Sequence, residues 1–246
     1  MDEYKKELLR QRENIVSNLG LRSYFQLLYT DVSREIEGFD KVLEVGAGAG
    51  VSEIFLRNKV LRTDLIPFEE FGVAGNYNME GLTFDDESFD AVLAFDSIHH
   101  SAFPSHALKE ILRVTRGGGK VVLVEPFVSP FSYLPYKLFH HEETSWRFKE
   151  ITANKKLLEL TNPASGDQGV SRFLIRELSV DRLKFFPHAY FSTKYLSPIS
   201  FFATGGVSHP FQSSTRIVET LFKFEKLIPA SLLKFLASRV IISIQK

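Results

Sequence analysis

A short apolar run, Lys41 to Val45, feeds directly into Gly46-Ala47-Gly48-Ala49-Gly50, and Glu44 is the one acid inside it. Glycine at alternate positions lets a chain leave a strand through backbone angles that other residues avoid, and lets a ligand come close to the main chain. The helix expected next would turn its free N–H groups toward that ligand. Nucleotide-binding folds of several kinds share such a turn. The spacing here departs from the dinucleotide fingerprint G-x-G-x-x-G, and a carboxylate at Glu44 suits a cationic ligand group better than a pyrophosphate. Asp64, closing a second apolar run, stands where ribose hydroxyls would donate to it. Solvated strand-end charges are the alternative for both acids.

Two histidine pairs come next, His99-His100 and His140-His141. The first leaves the end of a predicted parallel strand, where open α/β sheets bind their ligands. A hydroxyl nucleophile must lose a proton, a task for imidazole or carboxylate. His100, His140, His141 and Glu142 are therefore the candidate acid–base residues. The competing roles are a hydrogen-bonded structural histidine at 100 and a solvated polar turn at 140–143. His99 is the weaker candidate, because adjacent residues on a turn point apart. No metal site is expected, since neighbouring ligands rarely converge and no third cluster is evident. Trp146 and Arg147 would suit a sugar face and a phosphate or carboxylate.

The elements that must position these groups follow from hydrophobic spacing. Two helices, broken near Gly20, are predicted up to about Glu37. Strands are predicted at Lys41–Val45, Val60–Leu65, Asn76–Glu80, Phe89–Phe95 and Lys120–Glu125, with helices at Val51–Arg57 and His106–Val114, the latter stopped by Gly117–Gly119. Strands alternating with helices require a parallel sheet with right-handed crossovers. After Pro126 an aromatic, proline-punctuated stretch suits a cap. A helix at Leu174–Leu183, a strand at Lys184–Phe191, a helix at Ser213–Leu236 broken at Pro229, and an edge strand at Val240–Ile244 complete the set. The expected organisation is one domain over 1–246, with N-terminal helices (1–37), a core (38–126), a cap or insertion (127–180) and C-terminal strands and helices (181–246).

Composition excludes several classes. The chain has 246 residues, 44% of them apolar, enough for a sizeable core. Thirty basic and thirty acidic residues cancel, so no overall positive field marks a nucleic-acid partner. Cysteine is absent, which removes disulfides and thiolate metal sites. The first residues lack the apolar core of a signal peptide, and no apolar run reaches about 18 residues. A soluble, cytoplasmic protein without stable membrane insertion is expected. The tail from Leu221 to Ile244, with lysines at 223, 226 and 234, could lie on a membrane surface, but a last helix and edge strand account for it better. The 23 phenylalanines are read as core, with a lining for an apolar cleft in the second half as the alternative.

From Val42 to Pro126, about a third of the chain, the ordered pieces resemble one family. They are VLEVGAGAG, TDL, Asn78-Met79-Glu80-Gly81-Leu82-Thr83-Phe84, Glu87-Ser88-Phe89-Asp90, IHH and LRVTRGGGKVVLVEP. The set is similar to the class I S-adenosylmethionine-dependent methyltransferases of the type 11-like group. The resemblance implies a Rossmann-like doubly wound sheet, mostly parallel with an antiparallel last strand, helices on both faces and a cap after the fifth strand. It implies S-adenosyl-L-methionine as cofactor, with Glu44, Gly46 and Gly48 about the methionine end and Asp64 at the ribose. Asn78 would meet the adenine amino group, the Met79 backbone a ring nitrogen, and Phe95 and Asp96 the transferable methyl, with Ala47 and Leu65 in the same lining. The family usually has an acid where Asn78 stands and proline where Gly117 stands. Transfer to a small-molecule acceptor is implied, to oxygen rather than nitrogen or carbon. The polar stretch from His140 to Arg147 suggests a saccharide; a secondary metabolite is the other choice. A non-catalytic cofactor-binding scaffold and a nicotinamide-dependent oxidoreductase are the alternatives, the latter disfavoured by the glycine spacing.

Overall fold

The computed structural model describes residues 2–57, 59–140, 142–150, 166–180, 189–207 and 211–246. Its strands are β1 (Val42–Val45), β2 (Val60–Thr63), β3 (Val73–Ala74), β4 (Phe89–Phe95), β5 (Thr115–Pro126), β6 (Tyr190–Leu196) and β7 (Arg239–Gln245). They form one sheet in the order β3-β2-β1-β4-β5-β7-β6. Neighbours pair in parallel from β3 to β5, and β7 runs against both β5 and β6. The chain thus winds outward from β1 in one direction and then from β4 in the other, which leaves a crevice at the strand ends between them.

Period-two alternation puts a core on each face. On one side, Val121 and Leu123 of β5 join Val92 and Ala94 of β4 under Leu108, Ile111 and Leu112 of α4 (Pro104–Val114) and Leu174 of α6 (Val170–Val180). On the other, Val122 and Val124 join Ala91 and Leu93 under Tyr24, Leu28 and Val32 of α2 (Leu19–Glu35) and Val218 and Phe222 of α7 (Thr215–Glu225). Three further helices are α1 (Asp2–Ser17), α5 (Tyr133–Phe139) and α8 (Ala230–Leu236), and α3 is a single turn (Ser52–Phe55). Helix α4 opens on Pro104 in its first turn, where the missing N–H costs nothing and the fixed φ already fits.

Several boundaries differ from the pattern-based expectation, each for a local reason. The first two helices part at Asn18, whose side chain caps Leu21, while Gly20 lies inside α2, where a Cβ would come within 1.9 Å of Ser213 Oγ. The third strand is Val73–Ala74 rather than Asn76–Glu80; Asn78 Oδ1 instead accepts from the Glu80 N–H at 2.9 Å and turns the chain. Helix α4 ends at Val114 on its own, and Gly117–Gly119 belong to the start of β5. The helix expected at Leu174–Leu183 is Val170–Val180, and the strand expected at Lys184–Phe191 is Tyr190–Leu196; residues 181–188 lie outside the described residues. The final strand is interior, because β6 pairs along its outer side. No described helix is long and apolar enough to cross a membrane.

Candidate active site

A cavity of about 620 Å³ opens at the C-terminal ends of β1, β2 and β4, within the range of small-molecule sites. The glycine turn is its floor. Gly46, Gly48 and Gly50 have φ of 64°, 53° and 68°, a region closed to most side chains. At Gly46 a Cβ would stand 2.5 Å from Ser97 Cβ and 2.9 Å from Met79 Cε. Glycine at 46 is therefore required by the close approach of Ser97 and Met79, whereas at Gly48 the nearest atom to a Cβ would be Leu8 Cδ2 at 3.6 Å.

Neither strand-end acid is solvated: Glu44 is 2% exposed and Asp64 7%. Glu44 stands opposite Arg62 in the parallel register. Its carboxylate accepts from Ser52 Oγ and lies 3.7 Å from Arg62 Nε. Burial nevertheless dominates and lifts its pKa to about 7, Ser52 and Arg62 offsetting only part. Asp64 accepts from the N–H groups of Gly48 at 2.8 Å and Ile66 at 3.2 Å. Burial raises its pKa against those bonds.

Leu65, Asn78 and Met79 form the next part of the wall. Phe95 stacks on Tyr29 at 4.5 Å and on Phe25 at 5.8 Å, so α2 supplies an aromatic side. The phenylalanines lining the cavity are Phe25, Phe95, Phe148 and Phe201; they come from both halves of the chain, and most others serve the core or the surface. Asp96, at φ 48°, pairs with Arg239 of β7. Burial raises its carboxyl pKa, with Arg239 pulling the other way.

Past Asp96 the polar end of the cavity is built on a tight turn, Ile98–His100. Glu125, fully buried at the end of β5, accepts from the N–H groups of Ser97 and Ile98 at 3.1 and 2.9 Å, and its Oε2 lies 2.5 Å from His99 Nδ1. Glu142 arrives from beyond α5. Its carboxylate lies 3.5 Å from His99 Nε2, 3.6 Å from His100 Nε2 and 3.7 Å from His140 Nδ1, and accepts from Gln168 Nε2. Burial works against a charged His99, but Glu125 and Glu142 outweigh it and raise its pKa to about 10. Burial likewise opposes the Glu142 carboxylate, yet His99, His100 and His140 hold its pKa well below the usual range.

The structure brings together nearly all of the sequence-selected residues. Glu44, Gly46, Ala47, Gly48, Asp64, Leu65, Asn78, Met79, Phe95, Asp96, His100, His140 and Glu142 all line this one cavity; His141 lies outside the described residues. Two expectations are corrected. His99 and His100 do not point apart: their rings lie 4.1 Å from each other and both reach Glu142. Trp146 and Arg147 do not line the cavity; Trp146 meets Tyr133 edge-on at 5.9 Å and Arg172 at 4.2 Å. Sequence reasoning passed over Glu125 and Arg239. Glu125 carried the same signal as Glu44, an acid at the end of an apolar strand. Arg239 carried none, because only the antiparallel return of β7 brings it to Asp96.

Residues 43–123 match a family model described as a methyltransferase domain. The chain is 25% identical over 167 residues to a demethylmenaquinone methyltransferase of Clavibacter sepedonicus, covering 61% of this chain and 68% of that protein. It is 27% identical over 158 residues to a phosphatidylethanolamine N-methyltransferase of Cereibacter sphaeroides, covering 54% and 78%. Among solved structures, an S-adenosylmethionine-dependent methyltransferase from Thermotoga maritima, described as a possible histamine N-methyltransferase, matches over 100% of this chain and 95% of that one, with TM-score 0.50 and 18% identity. The geranyl diphosphate C-methyltransferase of Streptomyces coelicolor A3(2), solved with Mg2+, geranyl diphosphate and S-adenosyl-L-homocysteine, matches over 96% and 83%, with TM-score 0.54 and 14% identity. These two likenesses concern the fold.

Proposed function

We propose that the chain, whose residues 43–123 match a methyltransferase domain, is a class I S-adenosylmethionine-dependent methyltransferase and that it methylates a hydroxyl oxygen on a small, largely apolar acceptor. The cofactor supplies an activated methyl on a sulfonium. The glycine turn and the two buried acids fit it: Glu44 for the cationic amino acid end, Asp64 for the ribose, and Asn78 and Met79 for the adenine. Phe25, Tyr29 and Phe95 offer the acceptor an aromatic wall.

The observation that carries the proposal is the cluster of His99, His100 and His140 about Glu142 in the same cavity as the glycine turn. It faces the space past Phe95 and Asp96 with groups able to hold a hydroxyl and, at His100 or His140, to take its proton. Positioning by the aromatic wall contributes the rest. A saccharide loses its support, since Trp146 and Arg147 lie away from the cavity, and an aromatic or other apolar secondary metabolite fits better. The likeness to a demethylmenaquinone methyltransferase favours a second reading, transfer to a carbon of a quinone-like acceptor.

The test is a panel of phenols, hydroxyquinones and saccharides incubated with methyl-labelled cofactor, with products assigned by NMR. Methoxy products from the phenolic members are expected. Methylation only at carbon would replace the first reading by the second, and methylated saccharides would overturn the apolar acceptor.

A further inference from the structure

Hydrogen bonding alone does not account for the spacing around Glu142. Charge-assisted hydrogen bonds close to about 2.7–2.9 Å, yet His99 Nε2 and His100 Nε2 stop at 3.5 and 3.6 Å from its two oxygens. Two ligands of one tetrahedral ion, each about 2.1 Å from it, stand about 3.4 Å apart. One donor atom each from His99, His100 and Glu142 lie within 4.8 Å of one another. We propose that these three side chains bind one divalent first-row transition ion at the acceptor end of the cavity, and that the ion receives the acceptor's oxygen; the second clause rests on the proposed transfer to a hydroxyl.

Three further observations support the site. Glu125 lies 2.5 Å from Nδ1 of His99, an outer carboxylate that fixes the ring and leaves Nε2 to face a metal. Among the described residues, the ion-pair partners of Glu125 and Glu142 are all histidines. Neither carboxylate has a lysine or arginine among those partners, and a dication would complete their charge balance. The donors are built in rather than solvated, with side chains 4%, 25% and 8% exposed, and they border the open cavity. Two imidazoles and one carboxylate suit zinc, iron, cobalt or manganese rather than an all-oxygen calcium or magnesium site. Coordination lowers the pKa of a bound hydroxyl. Its O–H bond then breaks with the proton leaving to water; the oxygen's electron pair forms the O–CH3 bond, and sulfur keeps the electrons of the broken S–CH3 bond.

The experiment uses the whole chain, stripped with a chelator and titrated with Co2+ by visible absorption and with Zn2+ by calorimetry. One ion per chain is expected, with the absorption of four- or five-coordinate Co2+ that Zn2+ bleaches. Glu142→Gln and His100→Ala should each weaken binding about 100-fold, and Glu125→Gln about 10-fold, with circular dichroism unchanged. Should Glu142→Gln fail to fold, His100→Ala, on the most exposed of the three ligands, carries the same test. No stoichiometric binding to folded, stripped protein at roughly 100 μM ion overturns the site, as does binding that survives the substitutions. Neither titration needs cofactor or acceptor. A bound ion in a protein that refuses every hydroxyl acceptor defeats the transfer proposal and leaves the site standing. Full transfer by metal-free protein takes the acceptor's oxygen away from the ion and leaves the transfer proposal standing.

Discussion

Asp64 accepts two backbone N–H bonds and still faces the cavity. Replacing it with alanine removes charge-assisted hydrogen bonds to the cofactor worth about 1.5–3 kcal/mol, so Asp64→Ala should weaken cofactor affinity roughly 10- to 100-fold by calorimetry. Unchanged affinity would take the ribose away from Asp64. Glu44 makes the opposite kind of statement. Its pKa in the fold, about 7, lies above the ordinary 4.5, so its protonated form favours folding. That contribution is full below the ordinary carboxylate pKa and is lost as pH rises through 7, about 3 kcal/mol in all. Urea denaturation of the cofactor-free protein should therefore show stability falling from pH 5 to pH 7.5, and Glu44→Gln should flatten that fall. An unaltered slope would mean Glu44 is ionised throughout. At this scale the cofactor half was legible in the sequence, because the glycine turn and both acids belong to local strand-end patterns. The His99–Glu125–Glu142 cluster was not, since its members meet only when the segment after α5 folds back over the turn at 98–100.

Helix α1 lies across the mouth of the cavity, with Tyr4, Leu8 and Gln11 facing inward. Arg12 fastens it: one guanidinium nitrogen donates to the carbonyls of Ala49 and Gly50 at 2.9 and 2.7 Å, the other to Glu53 at 3.0 Å, and the group lies 3.8 Å over the Phe71 ring. Arg12→Ala should loosen this helix and speed cofactor release about tenfold, the scale of one charge-assisted hydrogen bond. Stopped-flow release kinetics measure it; an unchanged rate would make α1 a fixed wall. Helical spacing in the sequence announced α1 and α2 but not where α1 lies, because a helix pattern specifies a buried face and not its partner. Strands β4 and β5 were legible for the opposite reason: burial on both faces writes a continuous apolar run. Strand β3, two residues long, is too short to leave a pattern.

Seven strands share one sheet, but its outer third depends on the last residues of the chain. Strand β7 pairs with β5 from Lys120 to Pro126 and with β6 from Tyr190 to Leu196. It also carries Val240 and Ile242 into one core and Ile241 into the other. Deleting residues 239–245 should abolish the folded state, seen as loss of the thermal transition and elution in the void volume on gel filtration. Deleting residues 2–17 should leave the sheet folded, with weaker cofactor binding. A truncated chain that still melts cooperatively would show that β6 can dock without β7. The parallel half of the sheet was legible as alternating strands and helices. The position of β7 was not, because an apolar run looks the same whether it closes an edge or fills a gap.

The placing of β7 also sets an order on synthesis. While the ribosome is still making residues 127–238, β5 has its partner on one side only. Its other edge, the backbone of the buried apolar run Val121 to Val124, is unpaired and of the kind that joins other chains. The nascent protein cannot close that edge until its residues up to 245 have emerged, so pauses late in translation lengthen the interval of exposure.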